Sequence, residues 1–259
     1  MDLREKLSRM LIVMRLFRNW PVYFAEGIIL TRTKQITYVL KNGIKFCCRP
    51  RTVDRGLIRD IWRDKSYTPA GFEINSKDII LDVGAHIGVF SVFAAQNARE
   101  GVIYSFEPMR ENFLMLKNNL ELNKIENVVS FNKALYKNSG YANLALSENN
   151  TGGHSLLFGG EKQDTVQTIS LADFCKANNI KNINFLKMDC EGAEFDILFN
   201  CPNVIIQKID KISLEYHNID LQQNVIRLKS FLKSKGFEVK IKPFDAKTGL
   251  LYAKASKSV

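Results

Sequence analysis

Ile79-Ile80-Leu81-Asp82-Val83-Gly84-Ala85-His86-Ile87-Gly88 is the stretch on which the fold turns. A short apolar run ending at an acid predicts a buried strand, the two glycines predict a turn, and Val89–Ala98 continues as a helix. Outward from there, strand and helix patterns alternate. Val102–Phe106 predicts a second strand ending at Glu107, followed by a helix over Arg110–Leu122 with Phe113, Leu116 and Leu120 on one stripe. Asn127–Phe131 reads as a third strand and Thr165–Ile169 as an extra one before a helix over Leu171–Ala177. Ile183–Met188 and Lys211–Tyr216 give the fourth and fifth strands, with helices over Ala193–Phe199 and from about Leu221 to Ser234. Phe237–Lys242 and Leu250–Ala255 close the chain as an antiparallel hairpin at the sheet edge. This order predicts an α/β fold: a doubly wound, mostly parallel sheet with helices on both faces. Ligands of such sheets bind outside the carboxyl ends of the strands.

Residues 1–74 predict a basic helix-and-hairpin cap ahead of a main domain over 75–259. Leu3, Leu7, Met10, Leu11, Met14 and Phe17 recur at helical spacing, with Arg4, Arg9, Arg15 and Arg18 between them. Such a helix either packs on the domain or a dimer contact, or lies on an anionic membrane surface through residues 1–25. Asn42-Gly43 between Gln35–Lys41 and Ile44–Arg49 is a hairpin signal, and Arg55–Asp64 predicts a helix.

The net charge of +10 is uneven: residues 1–70 hold 15 Lys/Arg against 6 Asp/Glu, the remainder 22 against 21. The near-neutral remainder argues against a basic groove tracking nucleic acid. Five cysteines without a CxxC read as reduced thiols of a cytoplasmic protein, and three histidines make a structural zinc site a poor expectation. No apolar stretch is long enough to span a bilayer; any membrane association would be peripheral, at the inner face.

The chemistry is sought at the strand ends. Gly84 and Gly88 give a Gly-x-x-x-Gly turn without the middle glycine that lets a dinucleotide fingerprint approach a pyrophosphate. Glu107, ending the next strand, is placed to accept hydrogen bonds from ribose hydroxyls. S-adenosylmethionine, which has a ribose and no pyrophosphate, suits this pair. Asp189-Cys190-Glu191-Gly192-Ala193-Glu194 sets three carboxylates at a strand-to-helix junction, where burial without partners is costly. Asp189 and Glu191 read as substrate-orienting or proton-accepting groups, and Glu194 as a favourable acid in a first helical turn. His217 is a further candidate base or a structural hydrogen-bonder, and His154 lies in a glycine-rich connection.

Ile80 to Gly88, Phe106-Glu107-Pro108, Asn112-Phe113, Asn132-Lys133-Ala134-Leu135, Ser170-Leu171-Ala172-Asp173 and Leu186 to Glu194 together resemble the FkbM family of methyltransferases over roughly residues 75–220. The resemblance implies a class I, Rossmann-like methyltransferase using S-adenosylmethionine, commonly on sugar or polyketide-derived hydroxyls. It carries cofactor binding to Asp82, Gly84, Ala85, His86, Gly88, Glu107, Pro108, Ala134 and Asp189, and active-site roles to Asp189 and Glu191. His86 and Met109 stand where many members have asparagine.

The expected reaction is O-methylation of a sugar hydroxyl in a glycan, glycolipid or secondary metabolite. Asp189, Glu191 or His217 would assist proton loss, and Asp189 with Glu191 could hold a divalent ion. The rivals are a nucleic-acid methyltransferase docked through the basic N-terminus and a non-catalytic membrane- or partner-binding module. The intact Asp82, Gly84, Gly88 and Glu107 set speaks against the second.

Overall fold

The computed structural model describes residues 3–29, 34–145 and 163–256. The chain opens with helices α1 (Leu3–Leu16) and α2 (Trp20–Ile29), a hairpin of β1 (Ile36–Val39) and β2 (Lys45–Cys48), and α3 (Asp54–Trp62). Alternating units follow: β3 (Ile79–Val83), α4 (Val89–Asn97), β4 (Val102–Phe106), α5 (Arg110–Leu122) and β5 (Val128–Phe131). Next come β6 (Ala134–Tyr136), β7 (Gly140–Ala145), β8 (Gln163–Ser170) and α6 (Leu171–Ala177). The last part is β9 (Phe185–Met188), α7 (Ala193–Phe199), α8 (Asn203–Ile206), β10 (Lys211–His217), α9 (Val225–Ser234), β11 (Phe237–Pro243) and β12 (Thr248–Ala255).

The central sheet has seven strands in the order β11-β12-β10-β9-β3-β4-β5. The five inner and β5-side strands run parallel, and the β11–β12 hairpin is antiparallel at the other edge, as the sequence predicts. Strand side chains alternate between faces, and the core divides accordingly. Ile80, Ile103 and Phe185 face α4, α5 and the N-terminal elements, while Leu81, Val83, Leu186 and Met188 face α6, α7 and α9. Burying both faces is what allows β3 and β9 to be nearly continuous apolar runs.

The N-terminal elements share the first of these cores. Val13, Phe17, Tyr38 and Phe46 are buried with Ile80 and Leu116. Asn119 on α5 accepts from the Cys47 amide at 2.7 Å and donates to the Cys47 carbonyl at 3.2 Å, so α5 stitches the β1–β2 hairpin to the main sheet. Gly43, at φ 91°, makes the turn in this hairpin, and its left-handed backbone is the reason Asn-Gly signals it.

Three local expectations change. The predicted apolar stripe of the first helix splits: Phe17 is buried, whereas Met10 and Leu11 are 39% and 51% exposed. The last helix starts at Val225, not Leu221. Asp220 Oδ1 accepts the Gln222 and Gln223 amides at 2.6 and 2.8 Å in a turn, and Asn224 caps the helix by accepting the amides of Ile226 and Arg227. Finally, β8 belongs to a separate three-stranded sheet, β6-β8-β7, whose other two strands are too short or too polar to read. His154 falls outside the described residues. Among the described residues no helix is long and apolar enough to cross a membrane.

Candidate active site

A cleft of about 190 Å³ opens at the carboxyl ends of β3, β4, β9 and β10, with β6 and α3 completing its walls. Of the residues expected to bind cofactor, Gly84, His86, Glu107, Pro108, Ala134 and Asp189 line it, while Asp82, Ala85 and Gly88 do not. Strand alternation explains Asp82. It shares a face with Ile80, under α4, where it is fully buried between the Ser91 hydroxyl at 2.6 Å and the Lys187 ammonium at 3.1 Å. Lys187 is its register partner on β9 and donates to the Gly84 carbonyl at 2.8 Å. Asp82 thereby shapes the turn from beneath.

The two glycines have left-handed backbones, at φ 72° and 84°, and crowded protein neighbours. A Cβ on Gly84 would stand 1.8 Å from the Asp189 carbonyl oxygen, and one on Gly88 would stand 2.4 Å from Leu116 Cδ1. Both make room for protein: Gly84 lets the β3 and β9 loops touch, and Gly88 lets α5 pack on the turn. Ala85 sits between them, its amide on the Phe106 carbonyl at 2.9 Å.

Glu107 is held by its neighbours with its carboxylate at the cleft. The His86 amide donates to Oε2 at 2.8 Å and the Met109 amide to Oε1 at 2.9 Å. Asn132 donates to the carbonyls of Glu107 and Pro108 at 2.9 and 2.8 Å, fixing the strand end. Burial pushes the Glu107 carboxyl up to about 7, against these hydrogen bonds. Pro108, Ala134, Leu135 and Leu144 add an apolar wall beyond it.

The opposite wall is acidic. Asp189, Glu191 and Glu215 line the cleft. His217 does not, but its Nε2 lies 3.3 Å from Glu191 and 3.7 Å from Glu215, and its Nδ1 lies 3.2 Å from the fully buried Glu194. Burial lowers the proton affinity of His217, but the Glu194 hydrogen bond and the charges of Glu194, Glu191 and Asp189 outweigh it and push the ring up to about 10. With both nitrogens turned to carboxylates, His217 is an imidazolium at neutral pH. It is therefore unsuited to the base role the sequence suggested. Ligand atoms of Asp189, Glu191 and His217 lie within 4.8 Å of one another, and in the absence of a metal ion they form an ion-pair cluster. Burial, then Asp189, pushes Glu191 up to about 7, and the same two causes raise Glu215. Glu194 proves to be more than a first-turn acid, since it fixes His217 and accepts the Cys190 amide at 3.2 Å.

Sequence reasoning missed Glu215, Tyr67, Val53 and Leu57. Glu215 had a signal: it is two residues before His217 on a strand, hence on the same face. Tyr67, whose hydroxyl donates to Asp189 Oδ2 at 2.8 Å, and Val53 and Leu57, which line the cleft, come from the N-terminal region and have no pattern pointing to the site.

Residues 82–239 match the Methyltransferase FkbM domain, so the chain belongs to this family of methyltransferases. Methyltransferase 1 of Beauveria bassiana is 28% identical over 224 residues, covering 76% of this chain and 88% of the relative. The 31-O-demethyl-FK506 methyltransferase FkbM of Streptomyces tacrolimicus is 24% identical over 195 residues, 63% of this chain and 75% of the relative. Hexuronic acid methyltransferase AglP of Haloferax volcanii is 25% identical over 148 residues, 56% of this chain and 58% of the relative. Among solved structures, M. jannaschii TYW2 in complex with AdoMet aligns with a TM-score of 0.49 at 15% identity, covering 88% of each chain.

Proposed function

We propose that this methyltransferase moves a methyl group from S-adenosylmethionine to a hydroxyl of a sugar or related polyol. The carrying observation is one cleft with two unlike walls: a ribose-accepting carboxylate, Glu107, on one side and Asp189, Glu191 and Glu215 on the other. The residues fit the donor. Glu107 has accepting capacity for a diol, Ala134, Leu135 and Leu144 suit an apolar ring, and an acidic wall suits a sulfonium and an ammonium. When bound, the donor supplies an already activated methyl group.

The protein's remaining work is to orient the acceptor oxygen and take its proton. Glu191 and Glu215, with proton affinities raised toward neutrality, are the accepting groups, and Asp189, fixed by Tyr67, aligns the acceptor. His217 stabilises the ionised form of Glu191 as its proton leaves. The names of two relatives, a hexuronic acid methyltransferase and a 31-O-demethyl-FK506 methyltransferase, support oxygen as the acceptor atom.

Contact with an anionic membrane surface belongs to the same proposal, as a way to meet a lipid-linked acceptor. Exposed Met10, Leu11 and Phe24, and an exposed Arg15 one helical turn after Leu11, support it. Sedimentation with phosphatidylglycerol vesicles is expected and should be lost in a Leu11→Asp, Arg15→Glu variant; equal sedimentation of both proteins would remove this element.

The main test is transfer of labelled methyl from S-adenosylmethionine to fractionated cell glycans, lipids, RNA and protein. Label in carbohydrate-bearing fractions is expected, abolished in a Glu191→Gln, Glu215→Gln double variant. Label confined to RNA would establish the nucleic-acid rival instead. Full turnover by the double variant would remove the proposed base.

A further inference from the structure

A row of buried polar side chains crosses the sheet under the cleft. Ser105 on β4, Asp82 on β3 and Lys187 on β9 are register partners, and each is at most 3% exposed. Ser91 on α4 joins the row, its hydroxyl 2.6 Å from Asp82 Oδ2 and 2.9 Å from Ser105 Oγ. Apolar residues of similar size would fill this space without the cost of taking two charges out of water. Lys187 therefore needs a reason, and its contacts supply one. Its ammonium stands 3.1 Å from Asp82 Oδ1 and donates to the carbonyls of Gly84 at 2.8 Å and Val83 at 3.4 Å. It also faces two rings, 5.2 Å from the centre of Tyr67 and 6.0 Å from that of Phe90. Burial works against the charge, but Asp82 and Asp189 outweigh it and keep Lys187 an ammonium.

We propose that Lys187 is a positioning residue that sets the donor side and the acceptor side of the cleft relative to each other. The inference rests on the reading of the cleft as an S-adenosylmethionine site. On the donor side, the ammonium holds the Gly84 carbonyl, and Gly84 lines the cleft. Asp82 carries the same frame through Ser91 to Ser105, two residues before Glu107. On the acceptor side, the ammonium faces the Tyr67 ring, whose hydroxyl fixes Asp189. A cation is attracted most strongly to an aromatic face when both are out of water, and here both are buried. Gly84 and Asp189 also touch directly, since no Cβ fits between them. One charge thus reaches the links to both walls. A methionine of similar length would fill the space but could not donate to the carbonyl.

The test compares the full wild-type chain with an Asp82→Asn, Lys187→Met double variant, which removes the ion pair together and leaves no lone buried charge. The probe is S-adenosylhomocysteine, followed by calorimetry and by proton NMR of the Tyr67 hydroxyl, assigned by its absence in Tyr67→Phe. In wild type the ligand is expected to slow exchange of this hydroxyl proton by about tenfold, because the two sides are coupled. In the double variant affinity should fall about tenfold, the range for a hydrogen bond to a charged group, and the exchange should no longer respond to the ligand. A residue needed only for packing would move the denaturant midpoint and leave that response intact. No response in wild type, or a folded double variant that keeps either the affinity or the response, would overturn the proposal while leaving the cofactor reading standing. Should the double variant fail to fold, the ¹⁵N signal of the Lys187 ammonium in wild type decides. It is expected to shift when S-adenosylhomocysteine is added, and an unmoved signal would overturn the proposal. Failure of wild type to bind the ligand would instead overturn the cofactor reading and the inference with it.

Discussion

The hydroxyl of Tyr67 donates to Asp189 Oδ2 across 2.8 Å, joining the segment before the first strand of the sheet to the floor of the cleft. Tyr67 is buried, its ring packs edge-on against Phe90, and the Lys187 ammonium stands 5.2 Å from its centre. One hydrogen bond therefore fixes the rotamer of the acid proposed to align the acceptor. Tyr67→Phe keeps the ring and removes only the donor. We expect a loss of about 2 kcal/mol in stability by urea titration and roughly a tenfold drop in kcat with little change in cofactor affinity. An unaltered kcat would show that Asp189 does not depend on this bond.

Gly84 and Gly43 both have left-handed backbones, at φ 72° and 91°, but different surroundings. An added Cβ at Gly84 would stand 1.8 Å from the Asp189 carbonyl, while at Gly43 it meets nothing within 4 Å. Gly43→Ala should cost about 1 kcal/mol, the backbone penalty alone. Gly84→Ala should cost about 3 kcal/mol or more and abolish cofactor binding, because two loops must part. Denaturant midpoints and calorimetry on the two variants check this, and equal costs would contradict it.

Glu107 links affinity to pH. Its carboxyl, pushed up to about 7 by burial, must be ionised to accept hydrogen bonds from a diol. Cofactor affinity is expected to fall as pH drops below about 7, approaching tenfold per unit. For stability the sign is opposite. A carboxyl whose folded pKa exceeds its usual 4.5 binds a proton on folding, so its contribution becomes more favourable as pH falls from about 7 toward 4.5. Glu107→Gln should therefore be more stable than wild type at pH 8 by urea titration, while binding S-adenosylmethionine more weakly at every pH. A variant that is both less stable and unimpaired in binding would refute this account.

His217 carries a stability dependence of the same sign, at higher pH. Its folded pKa, raised to about 10 from 6.5 by Glu194, Glu191 and Asp189 against the opposing effect of burial, gives stability that is fully present below 6.5. That contribution is lost as pH climbs from 6.5 through about 10. His217→Asn is expected to remove this slope from the stability profile and to lower stability at pH 6 by a few kcal/mol, since Glu194 would be left buried without its cationic partner. Melting curves between these pH values decide the point. A slope retained in the variant would mean another group titrates there.

The local signals of this chain differ in strength from element to element. Short continuous apolar runs and helical stripes carry the central strands and their helices, because both faces of the sheet are buried. The Asn224 cap was written in the sequence too, but it competed with apolar Leu221, which is 88% exposed in a turn built by Asp220. Strands β6 and β7 gave little signal, since a three-residue strand and the run Gly140–Ala145 have too few alternations to register.

By itself, then, the sequence determined the sheet, its winding and the strand ends at which Glu107, Asp189 and Glu191 stand, because spacing along one chain fixes which residues close a strand. The tertiary structure decided what each does. It turned Asp82 inward to Lys187, gave the glycines to Asp189 and Leu116, and made His217 a cation among carboxylates. It also brought Arg49, Asp54 and Tyr67 from the N-terminal region to the cleft. Those roles depend on burial and on neighbours more than twenty residues away, and charge and proton affinity are properties of such surroundings, with no trace in local pattern.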